Sequence, residues 1–217
     1  MNQSPTAQPF RWQMMRGWLI ALCLSLGLAV GSTAATAADH PAQQMIEKAI
    51  TEMIELLETQ GDELSNDPEL LQAKVNEIFV PHLDFNTMTK LAVGKFWRKA
   101  DSGQKTELVV EFQKLLMNTY TGALKEYSGE TISFEPFRPQ KRDDRAVVKS
   151  VFSQSGGAGD VPVIYKLRDK NGWSIYDIEV NNLSLVTSYR TAFAGEIRKG
   201  GIGGLLDTLK ERNAKKS

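Results

Sequence analysis

A single cysteine, Cys23, and two histidines, His40 and His82, are all that this sequence offers of the residues that most often ligate transition metals or serve as nucleophile and base. Cys23 sits inside an apolar run from Trp18 to Val30, behind Leu22, where a lipoprotein cleavage site would need a small residue. Loss of that run leaves no thiol, which excludes disulfides, thiolate zinc sites and cysteine nucleophiles together and suits an oxidising compartment. His40 lies in a loose start and His82 in a turn, neither with a partner at ligand spacing, so no metal and no cofactor is expected. No Gly-x-Ser-x-Gly elbow is present and no histidine stands near a serine to activate it, which excludes hydrolysis by a triad. An excess of one charge is also missing, since 26 basic residues balance 26 acidic ones. If Arg11 and Arg16 leave with a leader, 24 basic residues face the same 26 acidic ones, a balance that argues against nucleic acid. Nor is there a spanning hydrophobic run: the one from Trp18 breaks at Gly31-Ser32-Thr33, short of the roughly 20 residues a transmembrane helix needs.

What is present at the start has the order of a secretory signal peptide: Arg11 and Arg16, the apolar run, then small residues at Ala35-Thr36-Ala37. Residues 1–37 are therefore expected to be removed, and residues 38–217 to form one domain. The two arginines are not adjacent, so export in the unfolded state is expected.

Within that domain the first half has helical periodicity. Pro41 to Gln60 places Ile46, Ala49, Ile50, Met53 and Leu57 on one face, with Gly61 as the stop. Asn66-Asp67 caps a helix from Pro68 that carries Leu71, Val75, Ile78 and Phe79, and Pro81 ends it. Asp84 caps a short helix with Phe85, Met88, Leu91 and Ala92, followed by Phe96 and Trp97 among Lys95, Arg98 and Lys99. Ser102 opens the longest predicted helix, through about Tyr127, with Leu108, Phe112, Leu115, Leu116 and Tyr120 in its stripe. After Ser128-Gly129 the period falls to two, and four strands are predicted: Thr131 to Phe137, Arg145 to Gln154, Val161 to Arg168 and Trp173 to Val180. Hairpin-sized joins, including Gly156-Gly157-Ala158-Gly159, make them an antiparallel meander. Asn181 to Ser184 then caps a helix bearing Leu185, Tyr189, Phe193 and Ile197, with Gly200 as its stop and Gly200 to Gly204 as a turn into a last helix. The expected fold is α+β: a twisted four-stranded antiparallel sheet, forming a cup with an apolar inner surface, packed against several helices.

Alternation assigns Val161, Val163, Tyr165 and Leu167 to the buried face of the third strand and Lys166 and Arg168 to the wet one. On the fourth strand Tyr176, Ile178 and Val180 share a face, and Asp177 and Glu179 fall on the opposite side as solvated surface. Val163, Tyr165, Tyr176, Ile178 and Val180, together with Phe85, Met88, Phe96, Trp97, Phe112, Leu116, Tyr120, Phe134, Leu185, Tyr189 and Phe193, can look into the space between helices and sheet. A packed core and a ligand cavity leave the same periodicity, so both readings stand at this point. Lys95, Arg98 and Arg190 are either solvated helix ends or cations placed to meet a phosphate.

The run Asp177-Ile178-Glu179-Val180-Asn181-Asn182-Leu183-Ser184-Leu185-Val186-Thr187-Ser188-Tyr189-Arg190, followed by Gly200-Gly201-Ile202-Gly203-Gly204-Leu205-Leu206, resembles the C-terminal signature of the MlaC (toluene-tolerance) family. Asn66 to Leu71, Val80 to Phe85 and Leu91 to Trp97 are similar to the same family. The resemblance implies a periplasmic, non-enzymatic phospholipid carrier with a partly NTF2-like fold. Its apolar residues would line a cavity for acyl chains, with the head group near Lys95, Arg98 and Arg190. It implies exchange of lipid with an inner-membrane ABC transporter complex bearing MCE domains and with an outer-membrane lipoprotein-porin complex, maintaining outer-membrane lipid asymmetry. Two other classes stay open: a periplasmic chaperone or lipoprotein carrier using the same cup, and an NTF2-like enzyme, which would need an acid or base among the inward strand positions.

Overall fold

Proline and short polar side chains start the helices where local chemistry favours it. The computed structural model describes residues 40–153 and 159–215, within the compact unit Ala35–Ser217. The expected signal peptide, Cys23, Gln154 and residues 155–158 of the glycine-rich join lie outside the described residues. Helix α1 (Pro41–Asn66) begins with His40 accepting from the Ala42 N–H at 3.2 Å. It runs past the expected stop at Gly61, because only Gln60 departs from helical geometry, with φ −128° and ψ 18°. Helix α2 (Pro68–Phe79) is capped by Asp67, which accepts from the N–H groups of Glu69 and Leu70 at 3.1 and 2.9 Å. In α3 (Phe85–Val93) Asp84 accepts from the Thr87 N–H at 2.9 Å.

Asp101 and Gln104 form a reciprocal capping box at the start of α4 (Ser102–Tyr120). The helix expected through Tyr127 tightens after Tyr120 into a 3₁₀ segment, Thr121–Glu126. Helix α5 (Leu185–Ala214) is the longest element, started by Ser184 accepting from the Thr187 N–H at 3.0 Å. The expected break at Gly200 falls one residue on, as a kink at Gly201 whose φ of 68° and ψ of −165° suit glycine alone, and helix resumes beyond it.

The sheet comprises β1 (Thr131–Phe134), β2 (Arg145–Ser153), β3 (Asp160–Asp169), β4 (Trp173–Val180) and β5 (Leu183–Ser184), antiparallel in that order. The fold is therefore the expected α+β arrangement with one more strand than periodicity gives. A two-residue strand has no detectable period; it exists because Asn181 and Asn182 both take positive φ, 51° and 63°, and fold the chain back on β4.

Alternation also misplaces one side chain. Lys166 pairs with Asp177 but Leu167 pairs with Ile175, so Tyr176 is the extra residue of a β-bulge. The bulge puts Ile175 in line with Ile178 and Val180 on the inner face and sends Tyr176 outward, where the Arg145 guanidinium lies 5.3 Å from its ring centroid. Helix α1 bridges two cores: Ile46 and Ile50 pack with Ala146, Val148, Val163, Tyr165 and Leu167 of the sheet, and Met53, Leu57 and Leu64 pack with the other helices.

Candidate functional site: two apolar chambers between sheet and helices

The inner face of β2, β3 and β4 does not close fully against the helices. A cavity of about 250 Å³ lies between them, walled by Ile46 and Ile50 of α1, Val75 and Phe79 of α2, Phe85 and Met88 of α3, Leu116 of α4, Leu124, Phe152, and inner-face residues of β3 and β4. A second cavity of about 440 Å³ adjoins it, walled by Met53, Ile54, Leu57, Tyr127, Ile132 and Val161 among others. Ile50, Phe79, Leu124, Phe152, Val163 and Tyr165 border both, so the two are neighbouring chambers of one apolar interior.

The few polar groups in the first wall are kept uncharged. Burial pushes the Tyr165 phenol up to about 12. Burial, then the neighbouring Tyr189 hydroxyl, pushes Tyr120 up to about 12 as well. Burial and then the positive charge of Lys48 lower the pKa of His82, which favours the neutral imidazole.

The sequence gathers sixteen apolar residues around one space; the structure divides them. Phe85, Met88, Leu116, Tyr120, Val163, Tyr165, Ile178, Val180 and Leu185 line the first chamber. Phe112 meets Tyr189 and Phe193 edge to face, and Tyr189 and Phe193 meet at a tilt, at centroid distances of 4.9 to 5.6 Å within the helical core. Phe96 and Trp97 pack against that core, with Lys95 over Phe96 at 5.3 Å and Lys105 over Trp97 at 6.0 Å. Phe134 packs at the sheet side, and Tyr176 is turned out by the bulge. None of Lys95, Arg98 and Arg190 lies in either chamber wall. Arg190 donates to the Leu91 carbonyl at 3.0 Å and would lie 3.1 Å from any Cβ added at Gly94, so it joins α5 to α3.

Sequence reasoning treated Ile46, Ile50, Val75 and Phe79 as ordinary helix stripes, and Ile175 was hidden by the bulge. A stripe does not reveal whether its partner across the layer fills the space, so no local signal would have found them.

Two carboxylates hold the layers in register. Arg168, placed on the wet face by alternation, is instead a mostly buried partner of Asp84 and donates to it from Nε at 3.0 Å. Beside that pair Asp84 donates its N–H to the Ile175 carbonyl at 2.8 Å, and Leu83 forms an isolated parallel bridge with Ile175. Burial alone would raise the Asp84 pKa, but hydrogen bonds from Thr87 and the charges of Arg168 and Lys170 outweigh it and lower it. Asp177 is likewise not solvated surface: it is 5% exposed and accepts from the Ser184 hydroxyl at 2.8 Å and the Val186 N–H at 3.2 Å. It ties β4 to the start of α5, with Lys166 bridging it to Glu179. Among the described residues no group of three or more His, Cys, Asp or Glu is arranged to hold a metal, and no helix is long and apolar enough to cross a membrane.

Fold and chambers together define an α+β protein built around an apolar interior, with helices closing the inner face of an antiparallel sheet. The model of the MlaC protein family matches residues 47–211, and this chain belongs to that family. It is 26% identical over 169 residues to a toluene tolerance protein of Pseudomonas putida, covering 76% of this chain and 77% of that protein. It is 19% identical over 200 residues to the intermembrane phospholipid transport system binding protein MlaC of Haemophilus influenzae, covering 91% and 93%. The solved phospholipid-binding protein of Ralstonia solanacearum, in complex with a phospholipid, superposes with a TM-score of 0.74 at 32% identity, over 82% of this chain and 99% of that one.

Proposed function

We propose that this chain is a periplasmic carrier that holds a diacyl phospholipid in its two chambers and catalyses no reaction. The observation that carries this reading is the pair of adjoining apolar chambers, in a chain of the same family and fold as a protein solved with a phospholipid bound. Two neighbouring chambers suit two acyl tails. At about 0.8 kcal/mol per methylene, a lipid with roughly 30 methylenes stands to lose more than about 20 kcal/mol on entering water. That matches the ceiling of non-covalent affinity, so release into solvent is too slow to be useful. Exchange with a bilayer is close to neutral, because its interior is as apolar as the chambers. Direction then comes from docking partners, in this reading an inner-membrane MCE-domain/ABC transporter complex and an outer-membrane lipoprotein-porin complex. The expected leader over residues 1–37 supports the location.

Mass spectrometry of an organic extract of the purified mature protein tests the reading. Near-stoichiometric diacyl phospholipid is expected; an extract without lipid, or one holding lipid-modified peptide in its place, would overturn it.

A further inference from the structure

We infer that Thr121 is a hydrogen-bonding subsite for an acyl-ester carbonyl of a diacyl lipid, an inference that rests on the carrier reading above. Thr121 and Tyr120 both belong to the wall of the first chamber, which is otherwise almost entirely apolar. Thr121 is 7% exposed, and its Oγ1 is buried without a hydrogen-bond partner among the described residues. Other threonines in the helices are satisfied: Thr59, Thr89, Thr106 and Thr208 return their hydroxyls to the carbonyl four residues back at 2.7, 2.7, 3.1 and 2.9 Å. Thr121 stands where α4 tightens into the 3₁₀ segment.

A buried hydroxyl left unmade costs stability, and a wall position lets an occupant supply what the fold does not. Thr121 stands in the chamber wall, and rotation about χ1 is the movement by which its buried Oγ1 can be turned toward an occupant. The Thr121 hydroxyl is thus a donor that requires an acceptor. An ester carbonyl is a strong acceptor carried at the root of each acyl tail, whereas an ether linkage in the same position lacks a carbonyl.

The stripped full-length mature protein is loaded from vesicles holding equal amounts of a diester phosphatidylglycerol and its 1,2-dialkyl ether counterpart, and bound lipids are quantified by mass spectrometry. Diester is expected to exceed ether by about five-fold, the scale of one net hydrogen bond. Thr121→Val should bring the ratio near parity, while Thr121→Ser, which keeps the hydroxyl, should restore it. Equal loading by the native protein, or an unchanged ratio in Thr121→Val, overturns the subsite and leaves the carrier standing. Loading of neither lipid overturns the carrier reading and this inference with it.

Discussion

Val163 lies on the inner face of the sheet, 8% exposed, where it borders both chambers. A carboxylate there has no partner in an apolar wall, and burying it unpaired costs several kcal/mol. Val163→Asp is expected to abolish lipid recovered by extraction, whereas Lys149→Gln, on the outer face with its side chain 46% exposed, should leave it unchanged. The Asp84–Arg168 pair predicts a different readout. Because the Asp84 pKa is lowered on folding, its contribution is complete above the ordinary aspartate value of about 4 and is lost as pH falls through the folded value. Asp84→Asn should lower stability by about 1–3 kcal/mol at pH 7 in denaturant titrations, and the difference from the native protein should shrink below about pH 4. A deficit that stays constant down to pH 2 would remove the ionised form from the account. Which positions face the chambers was half legible at this scale: strict alternation placed Val163 and Tyr165, but it failed at Tyr176, because a bulge is a property of paired strands.

At the scale of elements, the kink in α5 stands out. Gly201 alone takes a left-handed φ within a helix of 30 residues, and Leu205, Leu206 and Leu209 beyond it are buried in the helical core. Gly201→Ala meets no steric obstacle from neighbouring atoms, so its whole effect comes from the strained φ. It should cost about 1–2 kcal/mol in denaturant unfolding, while Gly203→Ala, at a position with an equally open surround and no positive φ, should be neutral or stabilising. Helix starts were legible because a cap is local: Asp67, Asp84, Asp101 and Ser184 each accept from backbone N–H groups two or three residues on. Helix ends were less so. Gly61 is followed by more helix after the kink at Gln60, and Leu64 beyond it is buried in the helical core, whereas the glycine run at 200–204 does interrupt the last helix, at Gly201.

For the whole molecule, occupancy of the interior is the quantity that links stability to function. A ligand present at 100 times its dissociation constant adds about 2.7 kcal/mol to the folded state, which for a domain of this size raises Tm by roughly 5–10 °C. Delipidated protein is therefore expected to melt lower than protein as purified, and reloading from phospholipid vesicles should restore the difference in calorimetry. Equal melting temperatures would mean that the folded chain holds no lipid.

Residue order alone determined the helix caps, the change from helical to strand period after Gly129 and the inward face of β3, because each depends on neighbours a few positions apart. Only the tertiary structure decided that Ile46, Phe79 and Ile175 line a chamber while Phe112 and Phe193 pack within the helical core. Both sets are apolar and periodic, and whether two such faces meet or stand apart depends on how far the helices are held from the sheet. Asp84 with Arg168, and Asp177 with Ser184, make those attachments across 84 and 7 residues of chain.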